Sequence, residues 1–110
     1  MLKHQLKNFT NGWFMGNFNP VLVNSKDFEI AVKYYQKGDV DNAHYHKIAK
    51  EYTVVVSGQV QMNDKIFGEG DIIEVFQNEI IEFRAITDAA IVAIKLPSVQ
   101  DDKYVVDGTI

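Results

Sequence analysis

Between two glycines lies the run Gly38-Asp39-Val40-Asp41-Asn42-Ala43-His44-Tyr45-His46-Lys47-Ile48-Ala49-Lys50-Glu51-Tyr52-Thr53-Val54-Val55-Val56-Ser57-Gly58. Its later part, Tyr52-Thr53-Val54-Val55-Val56, is almost wholly β-branched or aromatic, the composition of a strand, and Gly58 ends it. In the earlier part His44 and His46 stand two residues apart, so on an extended backbone both rings project from one face. Tyr45 then points the other way and packs on the outer face. Glu51 follows five residues after His46. Two imidazoles and a carboxylate converging on one point form the ligand set of a facial triad, with positions left open for water, substrate or dioxygen. A His-x-His pair alone is also what a chance surface pair looks like; the spacing around this one gives it weight. His44, His46 and Glu51 are the candidate metal ligands and candidate catalytic groups.

Outward from this run, short β-forming stretches recur with turn signals between them. Phe28 to Tyr35 precedes the Gly38-Asp39 break, and Gln59 to Met62 turns at Asn63-Asp64 into Lys65-Ile66-Phe67. Ile72 to Val75, Ile80 to Ile86 and Ala89 to Leu96 follow. Evenly spaced short strands indicate an antiparallel sandwich or barrel. A long amphipathic helix has nowhere to fit, and the best helical turn, Ala43 to Lys50, is poor. The chain divides into an N-terminal arm or added edge strand (1–26), a barrel (27–97) and a C-terminal tail (98–110).

Composition bounds the rest. At 110 residues the expectation is a single domain with one modest core, and 46% apolar residues exclude a disordered chain. No apolar run approaches the length of a membrane-spanning helix, so no membrane partner is expected. Eleven basic against fifteen acidic residues give a net charge of −4, with the lysines scattered, so no nucleic-acid partner is expected. The absence of cysteine excludes disulfides, thiolate zinc sites and cysteine nucleophiles. Met1 to Thr10 shows no signal-peptide pattern, which makes the cytoplasm the expected location.

Gly38, His44, His46, Glu51 and Gly58, at their spacing, resemble the first signature motif of the cupin superfamily, and all five positions match. In the second motif, Gly70 and Asp71 match the opening. Its proline, glycine, histidine and asparagine positions are filled by Phe76, Asn78, Ile81 and Ala85. The resemblance spans about Phe28 to Pro97 and implies an all-β, small cupin-type barrel (a double-stranded β-helix or jelly roll) with a pocket inside. In metal-binding members the position of Ile81 supplies a fourth ligand, which isoleucine cannot. The remaining three suffice for iron, manganese, nickel or zinc with water completing the shell. They also suit acid–base work without a metal.

With Ile81 facing inward, strand parity places Glu79, Phe83 and Ala85 inward and Glu82 and Arg84 outward. Glu79 is then either a carboxylate at the pocket mouth or a solvated loop charge. Thr53, Val55 and Ser57 share the face of Glu51. From Phe28 onward either Ile30-Val32-Tyr34 or Ala31-Lys33-Tyr35 faces in; the sequence leaves both open. Tyr35 is a further catalytic candidate and Lys33 a proton carrier or local cation, because each can hold or move a proton. His4 reads as a surface residue.

Single-domain cupins to which the chain is similar include sugar-nucleotide ketoisomerases and epimerases and sugar-phosphate isomerases. The resemblance therefore implies an isomerase or epimerase on a small, sugar-like substrate, metal-assisted or not. An iron-dependent dioxygenase and a non-catalytic small-molecule binder are the alternatives. A homodimer is the expected assembly, with the aromatic segment around Trp13 and Phe14 as the cover for an exposed sheet edge.

Overall fold

The structure is a computed structural model and describes residues 1–106. The stretches whose alternation reads as β form strands with ends within two residues of the expected ones. These are β3 (Glu29–Tyr35), β5 (Lys50–Ser57), β6 (Gln59–Met62), β7 (Lys65–Gly68), β8 (Ile72–Val75), β9 (Ile81–Ala85) and β10 (Ala89–Leu96). The histidine run is extended as β4 (Val40–His46), so the helical turn considered over Ala43 to Lys50 does not form. The N-terminal segment supplies β1 (Trp13–Gly16) and β2 (Val23–Asn24), and Lys103–Val105 supplies β11. Among the described residues the only helical turns are 3-10 turns at Leu6–Asn8 and Thr10–Gly12.

Two sheets face each other. One runs β2-β1-β3-β10-β5-β8 and the other β11-β4-β9-β6-β7. Neighbouring strands are antiparallel, except that β1 and β2 run parallel. This is the all-β double-stranded β-helix architecture. One end of its interior is filled by Val55, Val60, Met62, Val75, Phe83 and Ile91, all buried, and holds the sheets together by excluding water. At the other end Lys33, Glu51, Thr53 and Lys95 face inward, and the interior becomes polar.

Two local irregularities shape that polar end. Between Asp41 and His44 the register of β4 on β9 shifts: Asp41 lies opposite Phe83 and His44 opposite Ile81, so β4 carries one extra residue. A bulge of this kind lets residues of unlike parity share a face, and both Asp41 and His44 line the interior. A second shift, between Ala90 and Ile91, separates Ser57 from Val55. Thr53 and Val55 are buried as parity requires, but Ser57 is exposed and does not join the lining. Gly12 has φ +80°, and a Cβ there would lie 2.0 Å from the Val32 carbonyl oxygen; only glycine lets the N-terminal turn press against β3 and deliver Trp13 to it.

The crossing from β4 to β5 passes between the sheets in three residues, Lys47, Ile48 and Ala49. Asp102, buried beneath it, accepts the backbone N–H groups of all three at 2.9–3.2 Å. A carboxylate on three backbone donors is the charge-assisted tie that a tight crossing needs. Asp102→Ala strands those donors and is expected to destabilise the fold by about 2–4 kcal/mol, read as a lower urea midpoint with an unchanged slope. Asp102→Asn, which keeps one acceptor, should lose less.

Candidate metal and proton-transfer site

His44 and His46 project from β4 and Glu51 from the start of β5, so the two sheets each contribute to one point. One ligand atom from each residue lies within 4.8 Å of the others. The rings are 5.4 Å apart and nearly perpendicular. The Nδ1 of His44 lies 2.8 Å from the backbone oxygen of Asn42. That contact fixes the ring with its proton on Nδ1 and leaves the Nε2 lone pair for a ligand. His46 is 5% exposed, and its Nε2 has no hydrogen-bond partner. Burial, together with the charge of Lys95 and the His44 ring, pushes its pKa down to about 4, so the imidazole is neutral, the form that binds a metal. A buried ring nitrogen without a partner is costly. A divalent ion on His44, His46 and Glu51 would satisfy it, and the donor set of two nitrogens and one carboxylate fits such an ion.

Ile81 lies directly opposite His44 on β9 and lines the same interior, as parity predicts. Phe83 and Ala85 are buried beside it, while Glu82 and Arg84 are exposed. Glu79 is not at this site. It is exposed, and its carboxylate accepts the Phe76 N–H at 3.2 Å, closing the turn before β9; it is a loop charge with a turn-capping role.

The choice left open on β3 resolves in favour of Ala31-Lys33-Tyr35. Ala31 is fully buried, Lys33 and Tyr35 line the interior, and Tyr34 is 75% exposed. The Tyr35 hydroxyl donates to Asp41 at 3.1 Å, and its ring packs on Phe83 at 4.6 Å between centroids. Burial and the Asp41 carboxylate hold the phenol above its ordinary range, so Tyr35 keeps its proton. Burial pushes Lys33 the other way, below the usual ammonium range, with Asp41 opposing and Lys95 assisting. Tyr45 points outward as expected and stacks on Tyr104 of β11, centroids 5.2 Å apart.

The cavity bounded by these groups has a volume of about 250 Å³. Through Lys33, Tyr35, Asp41 and Lys103 it shares its wall with a wider surface recess under Leu6 and Phe9. Four residues that the sequence reading gave no role belong to this site. Asp41 arrives through the bulge. Lys95 arrives on β10, opposite Glu29 on one side and Glu51 on the other. Lys103 arrives because β11 pairs with β4, which sets it opposite His46. Asp102 ties the segment between two of the ligands. Of these, only Lys95 carried a signal, since it shares the parity of Ile91 and Ala93 on β10. Trp13, from the segment expected to cover a sheet edge, lines the cavity of its own chain.

No protein-family profile and no curated protein sequence matches the chain. Solved structures do. An uncharacterized conserved protein with a double-stranded β-helix domain from Klebsiella pneumoniae superposes with a TM-score of 0.67 at 14% identity, over 78% of this chain and 80% of that one. An RmlC-like cupin from Shewanella frigidimarina gives 0.62 at 19% identity, over 69% and 71%. The oxalate decarboxylase of Bacillus subtilis, a protein with Mn(II) centres, gives 0.65 at 16% identity; the match covers 74% of this chain but 24% of the decarboxylase. The chain has the double-stranded β-helix fold of these cupin structures, and the ligand atoms of His44, His46 and Glu51 stand close enough together to hold a metal ion.

Proposed function

We propose that the protein binds a divalent ion on His44, His46 and Glu51 and moves a proton between neighbouring carbons of a small, sugar-like hydroxy-carbonyl compound, as an isomerase or epimerase. One observation carries the reading: His44 and Glu51, two of the three candidate ligands, line a 250 Å³ cavity together with a separate set of proton-handling groups, Tyr35, Asp41 and Lys33, while His46 is buried next to them. Such a reaction needs a base beside the α-carbon and stabilisation of the oxygen that gains charge. When bound, the ion supplies Lewis-acid polarisation of a carbonyl oxygen. The residues do the rest. Lys33, with its ammonium weakened by burial, takes up and returns a proton. Tyr35 has its own proton on Asp41 and offers its oxygen lone pairs to a substrate hydroxyl. The small volume limits the substrate to a few carbons beyond the reacting pair, well below a drug-sized ligand.

Two measurements test this. Protein produced without added metal should carry close to one equivalent of manganese, iron, nickel or zinc by mass spectrometry. His46→Gln or Glu51→Gln should weaken reloading at least about 100-fold. No stoichiometric metal under any of the four ions would sink the metal half of the reading. In D2O, loaded protein should wash deuterium into the α-position of small aldoses, ketoses or their acids, followed by proton NMR, and Lys33→Met should slow that exchange about 100-fold or more. Ile81 beside His44 favours a second reading, binding without turnover. Saturable ligand binding with no exchange, and no oxygen uptake in the iron-loaded form, would select it.

The assembly we propose is a homodimer. β7 and β8 end the two sheets, and Ile66 and Ile72 on them are 61% and 67% exposed, an apolar edge of the kind that a second copy covers. Light scattering at micromolar concentration should give twice the chain mass, and Ile66→Lys with Ile72→Lys should return it to the monomer value.

A further inference from the structure

The chain as a whole is acidic, at −4, yet the wall of its inner cavity carries three lysines, Lys33, Lys95 and Lys103, against two carboxylates, Asp41 and Glu51. Among the described residues none of these lysines has an ion-pair partner, and the one ion pair is Lys50–Glu74, at 2.8 Å on the outer surface. Lys33, itself largely desolvated, feels the carboxylates of Asp41 and Glu51 as well as the like charges of Lys95 and Lys103. Like charges gathered at a partly buried site are unfavourable unless something opposite in sign joins them. The lone tryptophan is part of this wall: Lys33 Nζ lies 5.2 Å and Lys95 Nζ 4.9 Å from the Trp13 ring centroid. Contact with the ring face holds two ammonium groups in place without consuming their hydrogen-bond donors.

We infer that Trp13, Lys95 and Lys103 form an anion subsite adjoining the triad, and that the ligand of the cavity bears a carboxylate or phosphate group held there, with its reacting carbons turned toward Lys33. The inference rests on the proposed substrate site but not on the metal. Positive charge concentrated on the wall of a small cavity draws in and orients an ion of the opposite sign even in a protein of acidic net charge.

Trp13 is the reporter, being the one tryptophan in the chain. Its emission is followed during titration with malonate, with inorganic phosphate and with glycerol, at matched ionic strength. Each titration uses dialysed metal-free protein and manganese-loaded protein, with calorimetry on the same samples. Malonate or phosphate should change the emission saturably, with a dissociation constant on the order of 1 mM or tighter, and glycerol should not. The anion that binds more tightly identifies the group, carboxylate or phosphate. Lys95→Met and Lys103→Met should each weaken binding about tenfold or more, with thermal unfolding confirming that the variants fold. Binding should also weaken as salt rises.

No saturable response to either anion in metal-free or loaded protein overturns the inference. So does anion binding only to loaded protein that both methionine variants retain, because the ion alone would then be holding it. Anion binding without any metal uptake sinks the metal reading and leaves this one standing; metal uptake without anion binding does the reverse.

Discussion

The site depends on a three-residue crossing. His46 ends a strand of one sheet and Glu51 lies near the start of a strand in the other, with Lys47, Ile48 and Ala49 between those strands. A longer connection would let the sheets slide and separate the imidazoles from the carboxylate. So short a crossing cannot pair its own N–H groups in either sheet, and a buried, unpaired amide is unfavourable. Asp102 answers that need from more than fifty residues further along the chain, by accepting all three. The geometry of the ligands therefore rests on a carboxylate that belongs to neither ligand strand.

The same carboxylate brings in Lys103. Once Asp102 is anchored under the crossing, the following residues lie beside β4 and pair with it, placing Lys103 opposite His46 and Tyr104 opposite Tyr45. One face of that added strand finishes the cavity wall and the other forms the outer tyrosine stack, over which Lys47 sits at 4.5 Å from the Tyr104 centroid. The N-terminal segment does the equivalent on the opposite sheet. There the close approach of Gly12 to Val32 delivers Trp13 to the lysines of β3 and β10. The added strands β1 and β11 thus furnish Trp13 and Lys103 of the cavity wall, while the central strands furnish the triad.

What was legible in the sequence followed from local pattern. The period-two alternation, the turn dipeptides and the His-x-His spacing gave the strands, the shared face of the two rings and the inward turn of Ile81, because each depends on a few neighbouring residues. Asp41 was not legible. Parity counted from His44 sends it outward, and only the extra residue in β4 reverses that, a feature set by how β4 meets β9. Ser57 failed for the same reason at the other bulge. Asp102 and Lys103 read as charges in a tail because their partners lie far away in sequence. On β3 both faces carry residues suited to burial, so local pattern does not choose between them; in the folded chain Ala31 is fully buried and Tyr34 exposed.

Ile81 ties these observations together. A histidine in its place would close the coordination around an ion and leave little room opposite His44. Isoleucine instead extends the apolar surface of Phe83 and Ile91 into the cavity beside the triad. The cavity then has two unlike regions, an apolar floor around the ligands and a cationic, aromatic wall at Trp13. Water held against the floor is easily displaced, so the charged groups beside it act on developing charge through a lower dielectric than that of bulk solvent. A ligand with one charged end and one neutral, oxygen-bearing end can settle in this space in only one direction. In such a site Trp13, Lys95 and Lys103 govern orientation, while the triad with Lys33, Tyr35 and Asp41 governs chemistry.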